Sequence, residues 1–596
     1  MQTQVVRAAV CLVVMLAVVH SACAVEESVL DAQRRRVEVV RKVASSVVAI
    51  FGKGGQGGGS GVLVSPDGYA LSNFHVTRGA GTFMKCGLND GVLYDAVIVG
   101  IDPTGDVALV KLLGRDDFPY ANMGDSDAMK VGDWAYAMGN PFLLATDFQP
   151  TVTYGIVSGV HRYQYPAGTF LEYADCIQVD SSINPGNSGG PLFNDDGDLV
   201  GINGRGSFEK RGRVNSGAGY AISINQIRYF LDHLRSGRIV DHATLGATVT
   251  TAEDGRVIIS SILESSEAYR RGLRLDHEIV SFAGRPIRSV NQFKNILGIY
   301  PKGWRLPMTY RHEQTKYEMM ARLRGVHRQT ELMPERRPEP NPDEKKPDDG
   351  KPGEKKPEEE KPKPKPAVAK PPAEQFPEKY KHMFVRKDGF SNYYFNKQEQ
   401  DRLKPLLDSW GDYSGEGGTW QLAGESADSE AFKLTLATKG LGLDLNGEPF
   451  YQALDGSDFA DEPAGSGGLL VALHHLKLLL TKGSEGFSEY YYLGSEPLDL
   501  TGQLVDVIVT SLEGVETRWY FSRPVMDGEQ VRFPAAFVGF SCQLQEDRDE
   551  CEVYFATVRK FGNRSFPGEM VVRVGGREYL RLLVENFNPA ASRDDD

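Results

Sequence analysis

The sequence predicts a mainly β protein interrupted by one extended tether, and three observations carry that expectation. Between Val47 and Ala221, and again from Phe432 onward, short runs of β-branched and aromatic residues alternate with glycine-containing turns. From Pro334 to Pro377 the chain is dense in Pro, Lys and Glu and nearly free of aliphatic side chains, so it cannot bury enough apolar surface to offset its ordering entropy. The whole has 596 residues, 41% hydrophobic and 25% charged, the composition of folded globular protein and enough chain for about three or four domains. A formal charge of -13 leaves no basic footprint for nucleic acid. Six cysteines with no CxxC pair exclude a disulfide scaffold, and no metal site is expected.

The first element is an address. Arg7, the apolar run Ala8 to Val19 and the small-x-small site Ala22-Cys23-Ala24 make an export signal over residues 1–24. The run falls short of the roughly 20 residues that span a bilayer, although a retained anchor is the alternative reading. A lipid-modified Cys23 is a third reading, against which His20 stands where lipobox signals carry an aliphatic residue. The mature chain is therefore expected to be periplasmic or otherwise extracytoplasmic, beginning with a charged helical segment over 25–44.

Three segments of the next part carry chemistry: Ser72-Asn73-Phe74-His75-Val76, Gly105-Asp106-Val107-Ala108-Leu109-Val110-Lys111 and Asn184-Pro185-Gly186-Asn187-Ser188-Gly189-Gly190-Pro191. A serine hydroxyl attacks a carbonyl only when an imidazole takes its proton, and the imidazole needs a carboxylate to fix its tautomer. The turn around Ser188 is built of residues with little side chain, so backbone amides can converge on an oxyanion. His75, Asp106 and Ser188 follow one another in the chymotrypsin-type order. Singly, each has a plain structural reading: a core histidine, a turn-capping aspartate, a glycine-rich loop. Together and in this order they point to nucleophilic catalysis.

At these residues the chain resembles a trypsin-like serine protease of the HtrA/DegP family. The resemblance extends to Asp102-Pro103-Thr104-Gly105-Asp106, Gly139-Asn140-Pro141-Phe142, Thr153-Tyr154-Gly155-Ile156-Val157-Ser158-Gly159, Gln178-Val179-Asp180-Ser181-Ser182-Ile183-Asn184 and Gly217-Ala218-Gly219-Tyr220-Ala221. It implies a chymotrypsin-like double β-barrel over 45–235 and no cofactor. It further implies His75 as general base, Asp106 as its orienter, Ser188 as nucleophile, and the amides of Gly186, Asn187 and Ser188 as the oxyanion hole. Ile183 and Ala218 match the primary pocket, and being uncharged they imply a preference for small or medium aliphatic side chains. Family members commonly trimerise through aromatic residues near the protease N-terminus. Val25–Ile50 has none, yet a trimer is still the expectation.

Residues 241–325 resemble the PDZ domain that follows such proteases. Leu245-Gly246-Ala247 would hold a terminal carboxylate while a peptide adds to a sheet edge, with Ser289–Leu297 as the groove helix. Thr244, where an aromatic is usual, and Asp276-His277, in place of a Gly-Asp turn, depart from that pattern. A packing role without tight ligand binding is the alternative.

The tether spans 330–377, and 378–590 reads as a β-rich α+β domain with one or two helices, of which one is placed at Leu469–Leu480. There His474 and His475 project about 100° apart and make poor joint metal ligands. Cys542 and Cys551 flank a hairpin turn, compatible with a disulfide or with two unpaired thiols. The stretch Tyr554–Phe587 resembles the curved sheets of lipoprotein carriers of the LolA/LolB type, an analogy of fold with no site attached. The aromatic clusters Tyr393-Tyr394-Phe395 and Tyr490-Tyr491-Tyr492 read as core packing before cleft lining.

The function expected is an exported serine endopeptidase acting on unfolded polypeptides or exposed C-termini in protein quality control. The alternative is a peptide-binding or chaperone-like scaffold with a latent protease, localised to a membrane or envelope surface by its C-terminal domain.

Overall fold

The structure is a computed structural model that describes residues 27–52, 58–140, 147–164, 171–208, 215–332, 377–454, 456, 459–498, 502–527 and 530–590. The export signal over 1–24 and nearly all of the 330–377 tether lie outside the described residues. Among those described, no helix is long and apolar enough to cross a membrane.

Two closed six-stranded barrels follow a helix at Glu27–Val43, whose last turn carries Arg41 and Lys42 where the helix dipole favours cations. The first barrel contains β1 (Val47–Phe51), β2 (Gly58–Leu63), β3 (Tyr69–Ser72), β4 (Phe83–Gly87), β5 (Leu93–Asp102) and β6 (Val107–Leu112), closed in the order β1-β2-β3-β6-β5-β4. The second contains β7 (Trp134–Gly139), β8 (Thr151–Gln164), β9 (Tyr173–Val179), β10 (Pro191–Phe193), β11 (Leu199–Phe208) and β12 (Asn215–Ser223), closed as β10-β11-β12-β9-β8-β7. This is the double-barrel architecture the sequence predicts. Closure leaves neither barrel with a free edge. One apolar cluster joins them, with Val62, Leu71 and Val99 of the first barrel meeting Tyr136, Met138 and Ile202 of the second.

The next module, from Ala243 to Gly325, is an antiparallel sheet in the order 247–251, 257–262, 278–282, 305–312, 315–322, with the short strand 285–286 beside 278–282. Its helix Val290–Leu297 lies where the groove helix is expected and is capped by Ser289, whose Oγ accepts from Gln292 N at 3.1 Å. The helix packs on the second barrel: Asn295 donates to His161 O at 2.9 Å and accepts from Asp175 N at 2.6 Å. Arg285 pairs with Asp127 at 2.7 Å across the same junction.

The C-terminal half is an eleven-stranded antiparallel sheet between Trp420 and Asn588, with the expected helix at Leu469–Lys482 packed on it. His475 of that helix is buried, its Nδ1 2.7 Å from Thr517 Oγ1. A second helix, Tyr393–Asp408, falls within the one or two expected, but its place is not legible in the sequence because the aromatic run at its start and Pro405 near its end obscure the helical period. Its Phe395 is 1% exposed and belongs to the apolar cluster that joins the barrels. Beside it Asn392 donates to Ile98 O at 3.0 Å, and Asn396 donates to Ser236 O at 2.9 Å and to Tyr492 O at 2.8 Å. The C-terminal half is thus docked on the protease barrels rather than held at a tether's length. The two aromatic clusters meet within the C-terminal half, where Tyr393 Oη donates to Tyr490 O at 3.2 Å and Tyr492 Oη to Asp506 at 2.8 Å.

Cys542 and Cys551 face each other across the hairpin as register partners, yet both are free thiols in the core. Burial pushes the Cys542 thiol up to about 12.

Phe395→Ala should lower the thermal stability of the protease barrels by about 3–5 kcal/mol, the usual cost of truncating a fully buried phenylalanine. Calorimetry of the full chain would read it as a lowered first transition. An unchanged melting profile would mean that the C-terminal half does not complete this core.

Candidate active site

The loop between β9 and β10 carries Ser188, the helix Phe74–Ala80 carries His75, and the turn between β5 and β6 carries Asp106. The three come to one side of the groove between the barrels. Asp106 is the most constrained residue of the group. Its φ of 58° lies in the left-handed region, which a non-glycine residue adopts only when its surroundings over-determine it. The surroundings do so: Asn73 Nδ2 and Phe74 N donate to its carbonyl at 3.0 and 3.1 Å, and His75 N donates to its Oδ1 at 3.0 Å. The ring Nδ1 of His75 lies 2.8 Å from Oδ2. With Nδ1 so engaged, Nε2 is left as the acceptor that faces the groove. Burial works to lower the imidazole's proton affinity, but the hydrogen bond and charge of Asp106 outweigh it and hold the His75 pKa above the ordinary histidine value.

Sequence reasoning missed Tyr173. From the first residue of β9 its hydroxyl donates to Asp106 Oδ2 at 2.6 Å, while the ring is 4% exposed between the barrels. No motif marks it, because the contact joins the two barrels rather than neighbours in the chain. Ser60 was missed for the same reason. Its amide donates to Ser188 O at 2.9 Å, its hydroxyl donates to Gly186 O at 2.6 Å, and the same hydroxyl accepts from Asn140 N at 2.9 Å. The first barrel thereby clamps the loop of the second. The clamp also explains the glycine pair after Ser188, since a Cβ on Gly189 would collide with Ser60 O and one on Gly190 with Met138 O.

Ser188 Oγ donates to Gly204 O at 3.2 Å, and no hydrogen bond joins it to His75. The base and its carboxylate are paired, while the hydroxyl is parked on a main-chain carbonyl. Catalytic hydrogen bonds are often this loose before substrate tightens them. Of the three amides expected to face an oxyanion, that of Asn187 is turned into the loop, donating to Asn184 O at 2.9 Å. Closing that turn satisfies a buried N–H which would otherwise lack a partner. The amides of Gly186, whose φ is 105°, and Ser188 make no hydrogen bond among the described residues.

His75, Ser188, Gly186, Pro185 and Val76 line one cavity of about 280 Å³. Neither expected pocket residue lines it. Ile183 is buried against Gly219 on the inner side of β12, and Ala218 is half-buried on that strand. In the module that follows, Leu245 is buried, and Gly246 N donates to Thr244 Oγ1 at 3.2 Å while its carbonyl accepts from Leu263 N at 2.8 Å. One of the amides expected to hold a carboxylate is therefore occupied by Thr244, the residue that departs from the expected aromatic. The strand 247–251 is nevertheless at the edge of its sheet.

A family model described as a trypsin-like peptidase domain matches residues 59–202. A probable periplasmic serine endoprotease, DegP-like, of Chlamydia muridarum (strain MoPn / Nigg) is 34% identical over 259 residues, covering 42% of this chain and 50% of that protein. The periplasmic serine endoprotease DegP of Escherichia coli (strain K12) is 36% identical over 279 residues, covering 43% of this chain and 56% of that protein. The chain thus spans about half the length of the curated relatives it matches. A solved structure titled HtrA-type protease AlgW with tripeptide aligns with a TM-score of 0.41 at 30% identity, covering 48% of this chain and 96% of that one.

A histidine titration followed by NMR should place the His75 pKa above 6.5 in the folded protein. Asp106→Asn should lower it, because the anion that stabilises the imidazolium is gone. Tyr173→Phe should raise it, since the phenol no longer shares the carboxylate's charge. A His75 pKa indifferent to both substitutions would contradict the electrostatics described.

Proposed function

We propose that this chain, whose N-terminal half belongs with the HtrA/DegP serine proteases through its trypsin-like peptidase domain, is an exported serine endopeptidase that cuts unfolded polypeptides through an acyl-enzyme. The observation that carries this reading is the His75–Asp106 pair opening on the same cavity as Ser188.

In this reading a peptide entering the groove displaces the Ser188 hydroxyl from the Gly204 carbonyl and lets it rotate toward Nε2 of His75. His75 takes the proton as Oγ attacks the scissile carbonyl, and Asp106 stabilises the imidazolium so formed. The amides of Gly186 and Ser188 receive the oxyanion, and the same imidazolium then protonates the leaving amine. Water repeats the sequence on the acyl-enzyme. Because His75 must be neutral to act as a base and its pKa is raised, activity should fall with acidification through a pKa above 6.5.

Three finer elements belong to the same proposal. Residues 1–24 direct export to the periplasm, as the names of the relatives suggest for those proteins. The 241–325 module acts as a PDZ domain offering the edge strand 247–251 to a peptide. Self-association uses the helix Glu27–Val43 with Trp134 and Tyr154, whose rings pack 5.6 Å apart while remaining 44% and 52% exposed.

Mature protein should degrade reduced, unfolded casein, and Ser188→Ala should not, with turnover lost by about 10⁶. Fragment sequencing should find cuts after small or medium aliphatic residues. A wild-type protein that neither cuts casein nor reacts with a fluorophosphonate probe would overturn the reading. Cuts mainly after Lys or Arg would overturn the specificity alone.

A further inference from the structure

Where the three folded parts meet, they form an open cavity of about 810 Å³ that shares no lining residue with the cavity beside the serine and is larger than it. Its wall carries nine arginines and lysines against six carboxylates. Most of these cations have partners. Arg270 and Arg271 share Asp549 at 3.0 and 2.8 Å, Arg305 and Arg322 share Glu550, and Arg518 pairs with Glu496 at 2.9 Å and Glu516 at 3.0 Å.

Two cations are not so balanced. Arg238, just beyond the last helix of the protease barrels, is 8% exposed, and its Nε has no hydrogen-bond partner. Its other contacts are weak for a buried guanidinium: Nη1 donates to Leu493 O at 3.3 Å, and the group sits 5.3 Å from the centre of the Tyr491 ring. Lys302, from the 243–325 module, forms no ion pair among the described residues. Asp241, the nearest candidate, is engaged by His327, whose Nδ1 lies 3.0 Å from it. Arg518 of the C-terminal sheet completes the group, its guanidinium lying against Gly303 beside Lys302. Burial lowers the pKa of both Arg238 and Lys302, and repulsion among these two and Arg518 adds to it, outweighing the opposing pull of Tyr491 and Glu516 on Arg238 and of Asp241 and Glu516 on Lys302. An uncompensated buried cation costs several kcal/mol in general; Arg238 and Lys302 share their wall with Arg518, whose charge Glu496 and Glu516 balance, so each of the three folded parts contributes one cation there.

We propose that this cavity is a binding site for a small multivalent oxyanion, bearing phosphate or carboxylate groups, held by Arg238, Lys302 and Arg518. The volume is that of a typical small-ligand site. Guanidinium Nη groups and a lysine ammonium are the donors that charge-assisted binding of such groups employs; the unpartnered Nε of Arg238 is itself buried out of reach of the cavity. Walls drawn from all three parts mean that the ligand braces the C-terminal half against the other two. The site is independent of the peptidase chemistry, and it is expected intact in a Ser188→Ala chain.

The test is calorimetric titration of the full mature chain with pyrophosphate and, separately, citrate, at ionic strength held constant with chloride. Saturable binding near one per chain is expected for at least one of them, and which one identifies the phosphate or the carboxylate class. The pair Arg238→Met and Lys302→Met should weaken it by at least about tenfold, the loss of roughly one charge-assisted contact. If that double variant does not fold, Lys302→Gln alone, on the less buried residue, should weaken binding several-fold. Absence of saturable binding by either anion up to 10 mM (roughly the weakest affinity of interest), or binding that these substitutions leave unchanged, would overturn the proposal.

Discussion

The left-handed turn at Asp106 is the constraint around which the protease half is arranged. A non-glycine residue pays for that backbone conformation, and the offsetting contacts come from three directions. Asn73, Phe74 and His75 hold it from the helix that follows β3, and Tyr173 reaches it from the second barrel. The turn leading into it is held by Asp102, whose Oδ1 accepts from Thr104 N at 3.1 Å and Gly105 N at 2.8 Å. Asp102 Oδ2 in turn lies 2.8 Å from Nε2 of His242, whose Nδ1 is 2.6 Å from Gly298 O at the end of the helix Val290–Leu297. Both ring nitrogens of His242 face acceptors. Burial disfavours its charge, yet Asp102 and the Gly298 carbonyl raise its pKa overall. Hydrogen bonds and the short main-chain turn from Asp102 to Asp106 therefore connect the carboxylate beside His75 to the module behind the barrels.

The same principle, buried polar groups satisfied across boundaries, joins the C-terminal half to the rest. His233 Nε2 and Trp304 Nε1, from the barrels and the middle module, both reach Ser495 O, at 2.9 and 2.7 Å. With Asn392 and Asn396 they saturate main-chain groups that docking removes from water, and Phe395 supplies the apolar part of the contact. Contacts of this kind specify one orientation, because an apolar surface alone tolerates sliding whereas a misplaced buried donor is costly. The cavity lined by Arg238, Lys302 and Arg518 is a product of that fixed orientation.

Much of the protease half was legible in the chain because its determinants are local. Alternating apolar residues and glycine turns specify strands, and the segments around His75, Asp106 and Ser188 keep their chemistry within a few residues of each other. The resemblance of 241–325 placed a groove helix at Ser289–Leu297, and a helix stands there, capped by Ser289. The helix Tyr393–Asp408 was hidden because its aromatic face is selected by the surface it docks on. The direction of the Asn187 amide was hidden because a peptide plane can rotate within one and the same Gly-Asn-Ser turn.

The sequence by itself determined the strand-rich fold class, the composition of the tether, and the identity and order of the histidine, aspartate and serine. Each of these is a matter of residue type and short-range spacing. Only the tertiary structure decided that Tyr173 and Ser60 brace the site, that Ser188 rests on Gly204, and that the two halves are docked. It alone brought residues 238, 302 and 518 to a common wall. These depend on contacts between residues tens to hundreds of positions apart, where the free energy of a pair is set by geometry and desolvation that no local pattern encodes.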